Sequence, residues 1–152
     1  MVVSDIERGG VRYQFVEAPP PANDFVDLRA AEGWGKLEPD VAERALGHSC
    51  FALTVYAGEE TVGFGRLVGD EEVYFFLTDI LVRRDHRGIG LGAMIVQRLL
   101  DRALKLGGAK GSIALMSARG KEQFYERFGF MVRPNANFGA GMSWAPPSEE
   151  TR

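Results

Sequence analysis

Residues 78–92 read TDILVRRDHRGIGLG, and they lead into AMIVQRLLDRALKL at 93–106. A run of apolar residues gives way to a basic, turn-prone stretch, and glycines then open an amphipathic helix. The first backbone N–H groups of a helix have no acceptors inside it. They point, with the positive end of the helix dipole, at one spot, and such a spot binds phosphate. Arg83, Arg84 and Arg87 add fixed charge just ahead of it, and a guanidinium fork suits phosphate oxygens. A glycine-rich turn can also be only a tight connection, so the spacing has to discriminate. No Gly-Lys-Ser/Thr closes the stretch, which excludes a P-loop, and Gly88-Ile89-Gly90-Leu91-Gly92-Ala93 lacks the third glycine of the dinucleotide fingerprint.

Composition bounds the remaining possibilities. The chain has 152 residues, of which 45% are hydrophobic, enough for one domain with a core of its own. Its 18 basic and 21 acidic residues give a net charge of -3, so nothing draws it generally to nucleic acid or to anionic membrane. A lone cysteine, Cys50, excludes an internal disulfide framework and any Cys-based metal spacing; set in an apolar run, it reads as a core residue. No apolar run is long enough to span a bilayer, and MVVSDIERGG is not a signal peptide. The expectation is a cytoplasmic protein without membrane or nucleic-acid partners and without a metal.

Hydrophobic periodicity and turn residues predict the other elements. A first strand covers Val11–Glu17, and a helix runs from Asp24 to Glu32 with Asn23 as its cap. A second helix spans Pro39–Leu46. Strands at Cys50–Ala57, Thr61–Val68 and Val73–Val82 follow each other through Gly-containing turns and pair antiparallel. The helix Gly90–Leu106 is followed by a short apolar strand, Ser112–Ser117, and by a helix at Lys121–Phe128. A final strand pair is expected within Phe130–Trp144, interrupted by Pro134. Residues 146–152, PPSEETR, read as a frayed tail. With no repeats and no linker, the chain is expected to be one domain, 1–152.

Arg87, Gly90 and Gly92 fill the Arg/Gln-x-x-Gly-x-Gly/Ala pattern of the acetyl-CoA loop of the GNAT superfamily of N-acetyltransferases. Phe124-Tyr125-Glu126-Arg127-Phe128-Gly129-Phe130 resembles the same superfamily's Tyr-Glu-x-x-Gly-Phe signature, and the order of elements is also similar. The resemblance implies an α/β (α+β) fold: a mixed, mostly antiparallel sheet of about six or seven strands, helices on both faces, and a splayed cleft for acetyl-CoA. The splay would fall between Asp79–Val82 and Ser112–Ser117. Ile80, Leu81 and Val82 would pair with the pantetheine, and Arg87, Gly88, Ile89, Gly90, Leu91, Gly92 and Ala93 would hold the pyrophosphate. Many members carry Asn seven residues before the tyrosine; here that place is Ala118, with Lys121 nearby.

Acyl transfer to an amine needs a neutral nucleophile, donors for the developing oxyanion and a proton for the departing thiolate. By position, the Leu81 amide is the candidate oxyanion donor. Tyr125 is the candidate acid, since a phenol is protonated at neutral pH; its alternative is apolar packing on a helix face. Asp79 is the candidate base or holder of a cationic acceptor, or else a carboxylate satisfied locally. Glu72 and Glu38 are weaker candidates for the base. His86 reads as an exposed loop residue, and His48 carries no signal. Trp34, between Gly33 and Gly35, would wall an acceptor pocket or anchor the core. The implied activity is acetylation of a small-molecule amine without an acyl-enzyme. A protein lysine or N-terminus as acceptor, and a CoA-binding regulatory module, are the alternatives. Homodimers are common in the superfamily.

Overall fold

Two glycines with positive φ, Gly9 at +56° and Gly10 at +77°, turn strand β1 (Val2–Arg8) into β2 (Val11–Val16), the backbone that a two-residue hairpin needs. The computed structural model describes residues 1–146, so of the expected frayed tail only Pro146 falls within it and Pro147–Arg152 lie outside the described residues. Strand β1 is an addition to the sequence expectation, which placed the first strand at Val11. It stands at the edge of the sheet with nearly every residue exposed, so it lacks the alternation by which half-buried strands are read.

The chain divides into two compact units, Met1–Met116 and Ser117–Arg152. In the first, β1, β2, β3 (Phe51–Ala57), β4 (Glu60–Gly69), β5 (Tyr74–Val82) and β6 (Ser112–Leu115) form a six-stranded sheet in that order. The first five pair antiparallel, and β6 runs parallel to β5. Cys50 precedes β3 and is only partly buried, its thiol donating to the Gly69 carbonyl at 3.4 Å, where the sequence reading had placed it inside the strand.

Helices cover both faces. On one face lie α1 (Ala22–Ala31) and α2 (Pro39–Gly47), whose Phe25, Leu28, Ala42 and Leu46 pack with Ala52, Phe64 and Leu81 of the strands. Burying each of the larger side chains contributes about 1.5–3 kcal/mol. Asn23 does not cap α1; the neighbouring Asp24 accepts a 2.6 Å hydrogen bond from Thr61 and ties the start of the helix to β4.

Helix α3 (Leu91–Gly107) lies on the other face. It can approach closely because β4 presents glycine there: a Cβ on Gly65 would come within 2.5 Å of Ile95 and 3.1 Å of Leu99. Buried Leu91, Ile95, Val96, Leu99 and Ala103 form its inner stripe. The helix thus starts at a height fixed by the sheet, immediately after the basic turn.

In the second unit, helix α4 (Glu122–Glu126) is shorter than the predicted Lys121–Phe128. It ends at Glu126, and a turn carries the chain to Gly129, where φ is +94° and the amide donates to Glu126 O at 2.9 Å. Phe124, Tyr125, Phe128 and Phe130 form an aromatic cluster, with ring pairs 5.0 to 6.1 Å apart. The expected strand pair within Phe130–Trp144 does not form; those residues follow turns such as Asn135–Phe138, in which Asn135 Oδ1 accepts from the amides of Asn137 and Phe138. An Asn that binds its own following backbone competes with strand pairing.

Candidate active site

Strand β5 is paired on both sides only at its beginning. Tyr74–Leu77 pair with Ser112–Leu115 of β6, and the pairing stops there while β5 continues to Val82. Sheet register with β4 also breaks at this point. Phe64 faces Leu81 and Arg66 faces Thr78, so Gly65 stands opposite both Asp79 and Ile80. Asp79 takes φ of +56°, a left-handed conformation rare for a non-glycine residue. This is a β-bulge, and it re-aims the side chain it contains.

The direction of the peptide groups beyond the bulge follows from the pairing. Arg83 N donates to Val62 O at 2.8 Å. Alternation along an antiparallel pair then makes Gly63 and Val82 a non-hydrogen-bonded pair and directs the Leu81 N–H at Phe64. The C=O of Ile80 and the N–H and C=O of Val82, on the opposite sides of planar trans peptides, point away from β4. Arg87 Nε binds that Val82 carbonyl at 2.8 Å. The edge left open by β6 therefore offers main-chain groups of Ile80 and Val82, whereas the Leu81 amide faces the sheet.

A 3-10 turn, Arg84–His86, carries the chain from β5 to the glycines. Gly88 and Gly90 have φ of +78° and +92°, and Gly90 caps α3 in the left-handed conformation with no side chain bonded to the helix start. The first intrahelical bond runs from Met94 N to Gly90 O at 3.1 Å, so the amides of Leu91, Gly92 and Ala93 precede the ladder. Backbone N–H groups in such a turn, at the positive end of a 17-residue helix, form an anion site.

The basic residues ahead of the helix have separate roles. Arg83 turns to β4, donating to Thr61 O at 2.7 Å and pairing with Glu60 at 3.4 Å. Arg87 reaches α1, where its guanidinium pairs with Glu32. His86 is not the exposed loop residue expected from the sequence. Its side chain is 16% exposed, and its Nδ1 lies 2.8 Å from the hydroxyl of buried Tyr13.

On the α1 face of the bulge, Asp79 is buried and both of its carboxylate oxygens are engaged. Arg29 Nη1 donates to Oδ1 at 2.7 Å, and Arg66 Nε donates to Oδ2 at 2.8 Å. Arg66 is further held by the Ala45 carbonyl at 2.9 Å and the Ser49 hydroxyl at 3.3 Å. The Arg29 guanidinium stands 5.6 Å from the ring centroids of both Phe25 and Trp34. Trp34 is 42% exposed, so it walls a surface and is not a core anchor.

Sequence reasoning named Asp79 and Trp34 but missed Arg29 and Arg66. The signal for Arg66 was present: an arginine within GFGRLVG has to find a carboxylate if its strand is buried. Nothing in the local pattern of α1 distinguishes Arg29 from a solvated helical arginine. The weaker candidates Glu72 and Glu38 take no part in this cluster.

In the second unit, Tyr125 sits between Phe124 and Phe130, and burial raises its phenol above the ordinary value. Burial also raises the Cys50 thiol, which disfavours the nucleophilic thiolate. Among the described residues no cluster of His, Cys, Asp and Glu is suited to a metal ion, and no helix is long and apolar enough to cross a membrane.

Comparison with known proteins accounts for this arrangement. Residues 17–130 match the model of the Acetyltransferase (GNAT) family. The chain is 25% identical over 118 residues to the uncharacterised N-acetyltransferase ycf52 of Pyropia yezoensis, covering 75% of this chain and 66% of that protein, so it spans just under two thirds of that relative's length. Among solved structures it is similar to the GNAT family acetyltransferase SP0256 of Streptococcus pneumoniae, with 24% identity, a TM-score of 0.74 and coverage of 90% and 99% of the two chains. It is also similar to SA2161 of methicillin-resistant Staphylococcus aureus, with 23% identity, a TM-score of 0.77 and coverage of 87% and 99%. At these identities the structural likeness establishes the fold, and the six-stranded mixed sheet with its helices agrees with it. The family match covers most of the sequence, from within the first unit to Phe130 of the second: the chain belongs to the GNAT acetyltransferase family.

Proposed function

We propose that the protein transfers an acetyl group from acetyl-CoA to the primary amine of a small molecule, by direct attack in a ternary complex. One observation carries the reading: the open main-chain edge at Ile80 and Val82 is followed, through Arg87 and the left-handed glycines, by the start of α3, to which no side chain is bonded. The residues fit the cofactor. Peptide groups at the edge suit the amides of a pantetheine arm, and Arg87, Gly88, Ile89, Gly90, Leu91, Gly92 and Ala93 suit a pyrophosphate. The cofactor would supply the activated acyl group. The two units are read as one acetyltransferase domain because the family match continues from the first into the second as far as Phe130, and use of acetyl-CoA accords with a cytoplasmic location.

The chain's own groups then divide the work. The Leu81 amide, directed at Phe64, is committed to the sheet, so the strand donor for a developing oxyanion is the N–H of Val82 on the open side. Tyr125, protonated and raised by burial, supplies the proton to the departing thiolate. Asp79, shared by two guanidiniums, orients Arg29 and Arg66 and leaves the proton of the attacking amine to water. Cys50, with its thiol raised by burial, forms no acyl-enzyme.

Thermal shift with acetyl-CoA, CoA and NAD tests the donor, and thiol release across a panel of amines tests turnover. Stabilisation by acetyl-CoA with thiol release on small amines is expected. No stabilisation by either CoA species would refute the reading. Stabilisation without turnover on any amine or peptide would leave a CoA-binding regulatory module.

A further inference from the structure

We propose that the acceptor amine carries an anionic group, a carboxylate or a phosphate ester, and that Arg29 is the residue that selects it, with Trp34 as the adjoining wall. This rests on the acetyl-transfer reading above and adds to it the class of acceptor.

The argument is one of charge and unused donors. Around the bulge stand the guanidiniums of Arg29, Arg66 and Arg87 and the carboxylates of Asp79 and Glu32. Glu32 is taken by Arg87, and Asp79 is divided between the other two, so the group keeps one positive charge. That surplus cannot be assigned to Arg66. Its side chain is 14% exposed and its guanidinium is bonded to Asp79, Ala45 O and Ser49 Oγ.

Arg29 differs. Among the described residues its guanidinium makes one hydrogen bond, from Nη1 to Asp79; its buried Nε has no partner there, and its side chain is 25% exposed. Asp79 fixes the guanidinium from behind while Phe25 and Trp34 flank it, which holds a planar fork in place at low entropic cost. A half-buried cation with spare donors, held against an exposed tryptophan, is built to receive an anion. The same Asp79 opens the bulge from which Ile80–Val82 emerge, so the anion site and the open strand edge are tied to one residue. A cationic acceptor would meet repulsion here.

Matched acceptors test this: ω-amino acids of three to six carbons, their neutral amides, and aminoalkyl phosphates. The wild type is expected to favour an anionic member over its neutral counterpart by about tenfold to hundredfold in kcat/KM. Carboxylate and phosphate arms separate the two sources of charge. Arg29→Gln should erase the preference through acceptor KM while the acetyl-CoA Kd stays unchanged. The double change Arg29→Gln with Asp79→Asn should do the same without leaving a half-paired carboxylate, and Arg29→Lys should retain part of the preference. Turnover limited to neutral or cationic amines, or a preference that survives Arg29→Gln, overturns this inference alone. Failure of the wild type to bind acetyl-CoA overturns the underlying reading and this one with it.

Discussion

The Tyr13 hydroxyl lies 2.8 Å from His86 Nδ1, and that contact joins a buried residue of β2 to the turn from which the anion-binding loop departs. The rings meet edge to face with centroids 5.6 Å apart. His86 thereby fixes the turn one residue before Arg87. Tyr13→Phe removes the hydrogen bond and keeps the packing. We expect a loss of roughly 0.5–1.5 kcal/mol in cofactor binding, or about a two- to tenfold rise in acetyl-CoA KM. The acceptor KM and kcat should change little, and steady-state kinetics with each substrate varied would show the split.

Asp79 is the balancing charge of its cluster, so its removal should be felt in stability before catalysis. Asp79→Ala leaves two guanidiniums facing each other and is expected to cost about 3–5 kcal/mol. Asp79→Asn should cost less, because the amide oxygen still accepts from one arginine. Urea denaturation of the two variants checks the order. An Asp79→Asn protein with native stability and no turnover would instead identify the carboxylate as the base.

Tyr125 makes a prediction about pH. Burial raises its phenol above the ordinary value near 10, so the folded protein holds the proton more tightly than the unfolded chain does. The associated stability is fully present below the unfolded value and is lost as pH rises through the folded one. A rate profile should accordingly show no alkaline limb from this group below about pH 10. Tyr125→Phe should lower kcat by about 10²–10⁴, the usual range for a positioned proton donor, with little change in acetyl-CoA Kd. Equal kcat in the variant and the wild type would show that another group protonates the thiolate.

Gly65 tests the packing that sets the height of α3. Gly65→Ala drives a methyl group against Ile95, Ile80 and Leu99, and overpacking of this kind typically costs about 1–3 kcal/mol. Gly35→Ala makes a useful contrast, since only its positive φ of +79° is strained and no atom lies within 4 Å of the added Cβ. Thermal unfolding of both should separate steric from conformational cost.

The elements that are apolar runs bounded by turn residues, or whose apolar residues recur along a helix, were legible in the sequence: β2 to β6, α1, α2 and α3. Strand β1 was not, because at this edge only Ser4 and Ile6 are partly covered, too few positions to impose an apolar alternation. The strands expected within Phe130–Trp144 failed for the opposite reason, since apolar content suggested pairing while Asn135 bound its own following amides. At the candidate site, the glycines were readable as a turn into a helix because left-handed backbone before a helix start demands that residue type. Arg66 carried a signal, a charge inside an apolar strand, but a cluster assembled from α1, β4 and β5 leaves no spacing in any one segment, and Arg29 was hidden altogether.

The single extra residue at the bulge leaves both faces of β5 where an unbroken strand would put them. Leu81 packs with Phe25 and Leu28 of α1, whereas Ile80 lies with Ile95 and Leu99 of α3 beside Gly65. Arg66 with Thr78 and Phe64 with Leu81 are in phase for one continuous ladder, so deleting residue 79 would keep Ile80 opposite Gly65 and Leu81 opposite Phe64. The strand would lose a kink and a carboxylate and keep its frame. The left-handed aspartate is thus an insertion without a frameshift: it adds a charge to the α1 side while every neighbour keeps its helix layer and its peptide direction.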